Sequence, residues 1–173
     1  MQFQEQLAKA GLVSHNVIHD ASSQYRSLAH QVYGTEDAHS VVRLLLMSEI
    51  LSNPSHYERY ISMKGLDIQE YVSRSAKDTE WGDHLSLCAF ANFYGSDLLI
   101  YSPMFTHPLL IQTKNPQTNR VFCIAYVNVN EYKSLKEEVK REVEDVKMSS
   151  AIVKSTQTVV SSIPKVFIFP AKI

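Results

Sequence analysis

Along the first half of the chain, apolar residues recur at helical spacing. Phe3, Leu7 and Leu12 outline a short opening helix that Gly11 ends as a C-cap. Over 12–18 the pattern loosens toward alternation, with Val13 and Val17, and predicts an extended segment. Asp20, Ser22 and Ser23 then form a polar loop whose side chains suit a helix N-cap, Ser23 foremost. Tyr25, Leu28, Ala29, Val32 and Tyr33 fall at i, i+3, i+4, i+7 and i+8, a helix closed by Gly34. A second helix is expected from Ala38 or His39 to Leu51, with Val42, Leu45, Leu46 and Ile50 on one side. It stops at Asn53-Pro54, where the residue before proline is steered out of helical geometry. Short helices are expected near 56–61 and 67–75.

The Trp81-Gly82-Asp83 turn precedes another helix, capped by Asp83 and ended by Gly95. Its apolar set is Leu85, Leu87, Cys88, Ala89, Ala91 and Phe93. Strand-like runs come late, at 98–101, 109–113 and 121–127, with a turn over 114–119. Helices first and strands last predict an α+β, or layered α/β, domain. Beyond it the character changes. Leu135, Val139, Val143 and Val146 make one stripe in a segment otherwise full of Lys, Glu and Arg, with Glu137/Arg141 and Arg141/Asp145 four apart. This predicts a solvated helix with a narrow apolar seam, followed by a terminal strand at Val166-Phe167-Ile168-Phe169. Packing on the chain's own domain competes with docking on a partner as the use of both. The expected division is a domain over 1–135 and an extension over 136–173.

Composition narrows the function classes. At 173 residues, 45% apolar and 20% charged, the chain is one globular domain's worth of sequence. A net charge of −1 gives no bulk attraction to nucleic acid or membrane. No apolar run reaches a spanning length, and the residues after Met1 have neither a basic region nor a long apolar core, so no secretory signal is expected. The two cysteines, Cys88 and Cys123, sit at apolar positions of a helix and a strand and are expected in the core. Neither a disulfide framework, a metal site nor a cofactor is expected, and an intracellular, reducing compartment is.

The run Asp20-Ala21-Ser22-Ser23-Gln24-Tyr25-Arg26-Ser27-Leu28-Ala29 resembles the nucleophile segment of the ovarian-tumour (OTU) family of cysteine proteases, Asp-Gly-Asn-Cys-Leu-Tyr/Phe-Arg, with serine in the cysteine's place. The likeness extends over about 3–135. It includes His39 to Arg43 as the family's His-x-x-x-Arg, Tyr60-Ile61, Glu70-Tyr71, and Trp81-Gly82-Asp83-His84-Leu85 through Ala91 as its Trp-Gly-Asp/Gly-His block. The resemblance implies a papain-like protease fold, a small central sheet flanked by helices. It also implies a deubiquitinase lineage, cleaving isopeptide bonds after the ubiquitin C-terminus with a thiolate, a histidine base, an orienting polar group and oxyanion donors.

Residue by residue, that machinery is degraded. Asp20 matches the aspartate heading the oxyanion loop, but Ala21-Ser22 stands for Gly-Asn. Ser23 stands for the nucleophile; a thiol near pKa ~8.5 ionises beside a histidine, whereas a hydroxyl depends wholly on a base. The family's terminal His-Tyr-Asn/Asp-Ser-Val/Leu reads Glu131-Tyr132-Lys133-Ser134-Leu135 here. The base is thus Glu131 and the orienting residue Lys133. A carboxylate near pKa ~4.3 is a poor base for a hydroxyl, and a nearby lysine keeps it charged. His19 and His84 are nearby imidazoles, neither at the base's position. The expectation is a catalytically inactive OTU-like domain acting through protein contacts. It would bind ubiquitin or a ubiquitin-like protein around Ala21, Ser22, Trp81 and Tyr132, or serve as a subunit of a larger assembly. The competing reading is an active hydrolase with Ser23 as nucleophile. Trp81 is expected to pack in the fold rather than to stack a base, and with no basic stripe beside it nucleic-acid binding has no support.

Overall fold

The computed structural model describes residues 3–138. In chain order the elements are α1 (Phe3–Lys9), β1 (Leu12–His15), α2 (Ser23–Tyr33), α3 (His39–Ser52), a 3-10 turn (Pro54–His56), α4 (Glu58–Met63), α5 (Ile68–Ser75), α6 (His84–Tyr94), β2 (Asp97–Tyr101), β3 (Leu109–Ile111), β4 (Val121–Asn128) and β5 (Glu131–Glu137). The strands form one sheet in the order β1-β5-β4-β2-β3. All neighbours are antiparallel except β2 and β4, which run parallel from Asp97↔Val121 to Tyr101↔Ala125. This is the expected α+β architecture.

Period-2 alternation divides the strand residues between two faces. Leu98, Ile100, Phe122 and Ile124 join Tyr25, Leu28 and Ala29 of α2, Val42, Leu46 and Ile50 of α3, and Leu85, Ala89 and Phe90 of α6 in the main core. Phe90 meets Phe122 edge-on, with centroids 5.1 Å apart. Each buried Val, Leu, Ile or Phe among them contributes about 1.5–3 kcal/mol by leaving water. Tyr101, Ala125 and Leu135 face the other way, with Leu7 of α1 packed on them.

Several expectations change. Leu12 belongs to β1, not to the opening helix, since Gly11 turns the chain through φ 65 before it. Leu135 lies in β5 and is 3% exposed, so it is not the first residue of a solvated helical seam. Its partner Ser14 and the sheet register claim it, and tertiary pairing overrides the local spacing. On α6 it is Phe90 that is buried, while Phe93 faces outward. On α3 the buried face includes Arg43, which has no exposure at all. Val139, Val143, Val146 and the 166–169 strand lie outside the described residues.

Candidate functional site

Ser23 is the first residue of α2 rather than its cap. The cap position is Ser22, whose side chain makes no capping bond. Ser23 is fully buried, and its hydroxyl donates to the main-chain carbonyl of Asn130 at 3.0 Å. Asn130 sits in the β4–β5 turn with φ 58, a left-handed conformation that asparagine tolerates better than most residues. Strand pairing therefore delivers a carbonyl oxygen to the hydroxyl. The loop before α2 is folded on Asp20. Its Oδ1 accepts the Ser22 N–H at 2.9 Å, and its carbonyl accepts the Ser23 N–H at 2.9 Å. Arg26, one turn into α2, grips the Asp20 carboxylate with Nε and Nη2 at 2.8–3.1 Å. That bidentate bond, reinforced by the Ser22 N–H, holds the Asp20 pKa below the usual carboxylate value.

Behind the loop stands Arg43. Its Nη2 donates to Ser22 Oγ at 2.9 Å and to Ala21 O at 3.4 Å. Its Nη1 donates to the carbonyls of Ser75 and Glu80, both at 2.9 Å. The guanidinium also lies 3.9 Å over the Tyr25 ring, and Nε is 3.5 Å from the Asp78 carboxylate. One buried cation thus ties the site loop to the end of α5 and to the turn before Trp81. Gln24, the neighbour of Ser23, does the same for the Trp81-Gly82-Asp83 turn. Its Nε2 donates to Asp83 O at 3.3 Å, and its Oε1 accepts from Ser86 Oγ at 2.6 Å. A Cβ on Gly82 would lie 2.0 Å from Gln24 Oε1, so any larger residue there would have to displace the Gln24 amide. Burial raises the pKa of Tyr132, the residue after Glu131 on β5.

Comparison with known proteins bears on the fold. No family model matches the chain. Over 132 residues, 76% of the chain and 37% of the relative, it is 27% identical to OVARIAN TUMOR DOMAIN-containing deubiquitinating enzyme 9 of Arabidopsis thaliana. The OTU domain of OTUD1 superposes with a TM-score of 0.67 at 18% identity, over 78% of this chain and 92% of that one. An OTU domain solved in complex with ubiquitin gives a TM-score of 0.61 at 17% identity, over 72% and 69%. The chain has the fold of the ovarian-tumour domains and shares sequence with these curated relatives. It spans less than two fifths of the length of the curated relatives it matches first.

Within the OTU domain, the residues singled out by the sequence are only partly brought together. Asp20, Ala21, Ser22 and Ser23 converge with Asn130, and Glu131 follows at the start of β5. Glu131 pairs with Lys133 at 3.8 Å, both side chains partly exposed. Trp81 is 43% exposed, with its ring 6.0 Å from that of His19, so it packs less deeply than expected. His84 does not reach the loop: its Nε2 lies 3.4 Å from Cys88 Sγ. Cys88 and Cys123 are half-buried rather than deep in the core, and burial pushes both thiols up, away from the reactive thiolate. His39, at the start of α3, interacts with Asp20 and Arg26, and burial lowers its pKa. Sequence reasoning missed Gln24, Arg43 and Asn130 as parts of the site. Their signals were present, in the residue after Ser23, the His-x-x-x-Arg run and a Val-Asn turn, but each acts through the main chain of a distant segment.

Proposed function

We propose that this OTU domain has no hydrolytic activity and works by protein contact, receiving ubiquitin or a ubiquitin-like protein on the former substrate surface. The observation that carries the reading is the Ser23 hydroxyl, buried and donating to the Asn130 carbonyl. A carbonyl oxygen cannot accept a proton in catalysis, so the bond holds the hydroxyl without activating it. Glu131, at the base's position, is paired with Lys133, and the Ser22 and Ser23 N–H groups are committed to Asp20 rather than turned toward a developing oxyanion.

Surface chemistry supports binding. Because β2 and β4 are parallel, the loop after β2 leaves the sheet at the end where β4 turns through Asn130. Residues 102–111 contain no Asp, Glu, Lys or Arg. Met104, Phe105, Leu109 and Leu110 are 43–64% exposed, and Val129 in the β4–β5 turn is 76% exposed. Met104, Phe105 and Leu109 line one open pocket, and exposed apolar groupings of this kind mark contact surfaces. Among the described residues no helix is long and apolar enough to cross a membrane. The test is a titration of isotope-labelled ubiquitin with the chain. Saturable amide shifts that weaken with Phe105→Asp or Met104→Asp are expected. Absence of shifts at millimolar protein removes the ubiquitin reading.

A further inference from the structure

Away from Ser23, two imidazoles lie face to face. His15, the last residue of β1, stacks on His30 near the end of α2, with centroids 4.1 Å apart and planes 16° from parallel. On its other side His30 Nδ1 is 2.8 Å from Ser134 Oγ, and that hydroxyl accepts a hydrogen bond from Gln31 Nε2 at 2.7 Å. Ser134 is fully buried. A hydroxyl has one proton to give. With Gln31 donating to it, Ser134 can give its own proton to His30 Nδ1, an arrangement open only to a neutral His30 with its proton on Nε2. A protonated His30 carries hydrogen on Nδ1, so the bond to Ser134 must reverse, and it sets a cation against the stacked ring.

The charged and titratable groups around His30 sharpen this. From β1 comes His15; from β5, Lys136 and Glu137; from the segment after α2, Glu36; and from β4 and the residues before it, Cys123 and Arg120. Arg120 donates to the Gln31 carbonyl at 2.7 Å. Burial first, then His15 and Lys136, lower the His30 pKa from the ordinary imidazole value of 6.5, with Glu36 opposing. Water reaches the ring through an open cavity of about 590 Å³ lined by His30, Gln31, Arg120, Cys123, Lys136 and Glu137, among others. The strand held by this stack is short and at the sheet's edge. Four residues of β1 pair with β5, the last rung being His15↔Ser134.

We infer that the His15–His30 stack is an acid-sensitive latch, holding β1 on β5 while His30 is neutral and releasing this edge strand when His30 gains a proton. The latched state binds fewer protons than the released one, so release grows as pH falls below about 6.5. Release bares the outer edge of β5, the strand that begins at Glu131. It is independent of whether the domain binds ubiquitin.

Backbone hydrogen exchange of the full chain at pH 7.5, 6.5 and 5.5, divided by intrinsic rates, tests this. Opening of 12–15 and 134–137 should rise by up to about tenfold per pH unit for each extra proton taken up, with α3 and α6 unchanged. His15→Gln and His30→Gln should each flatten the response. His15 is partly exposed, so that variant carries the test if His30→Gln does not fold. A pH response in β1 no steeper than in α3 and α6, or an undiminished one in His15→Gln, overturns the latch.

Discussion

Arg43 holds four acceptors from three separate segments and has no exposure, so its removal leaves several buried oxygens unpaired. Arg43→Met should cost about 3 kcal/mol or more in urea unfolding, a change below 1 kcal/mol showing that the loop does not depend on it. Ser23→Ala, by contrast, removes one neutral hydrogen bond and should cost about 1 kcal/mol. Asp20 titrates with a clear sign. Its folded-state pKa is held down by Arg26, so the pair's contribution is present above the unfolded value of 3.8 and lost as pH falls through the lower folded value. Asp20→Asn should therefore flatten the acid limb of stability below about pH 4, measured by thermal melts across that range; an unchanged limb would mean the pair adds nothing. At this scale the substitutions at the chemical positions were readable from the sequence, because each is a change of side-chain type within a recognisable frame. The acceptor that occupies Ser23, and the reach of Arg43, were not, since a main-chain partner 107 or 32 residues away leaves no mark in a local pattern.

Helices were legible where local chemistry decides them. Asp83 accepts from the N–H groups of Leu85 and Ser86 while Ser86 Oγ accepts from the Asp83 N–H, and Gly34 and Gly95 end their helices in left-handed geometry. Asp83→Ala should cost at least the ~1 kcal/mol of a lost cap, and more because Lys64 and the Tyr71 hydroxyl also bind that carboxylate. A helix-weighted loss in circular dichroism melts checks it; an unchanged midpoint would deny the cap its role. The Gly82 close approach makes a second element-level case: Gly82→Ala should displace Gln24 and loosen the turn against α2, seen as shifted Gln24 and Ser86 resonances. Strands were less legible. β1 has four residues and β5 contains Lys133, Lys136 and Glu137, so neither shows clean alternation. Leu135 fitted a helical stripe by spacing, and only pairing between 12–15 and 134–137 reveals it as sheet core.

As a whole molecule, the domain combines an intact OTU frame with a site whose hydroxyl, loop N–H groups and carboxylate are all engaged internally. On the proposed reading, Ser23→Cys alone gives no cleavage, because the thiol would sit against the same carbonyl with Glu131, not an imidazole, at the base's position. The most direct measurement is cleavage of ubiquitin dimers by the full chain and its Ser23→Ala variant, followed to high enzyme concentration. Equal, background-level cleavage by both is the predicted result. Cleavage by the native chain that Ser23→Ala abolishes would contradict it and place a working base beside Ser23.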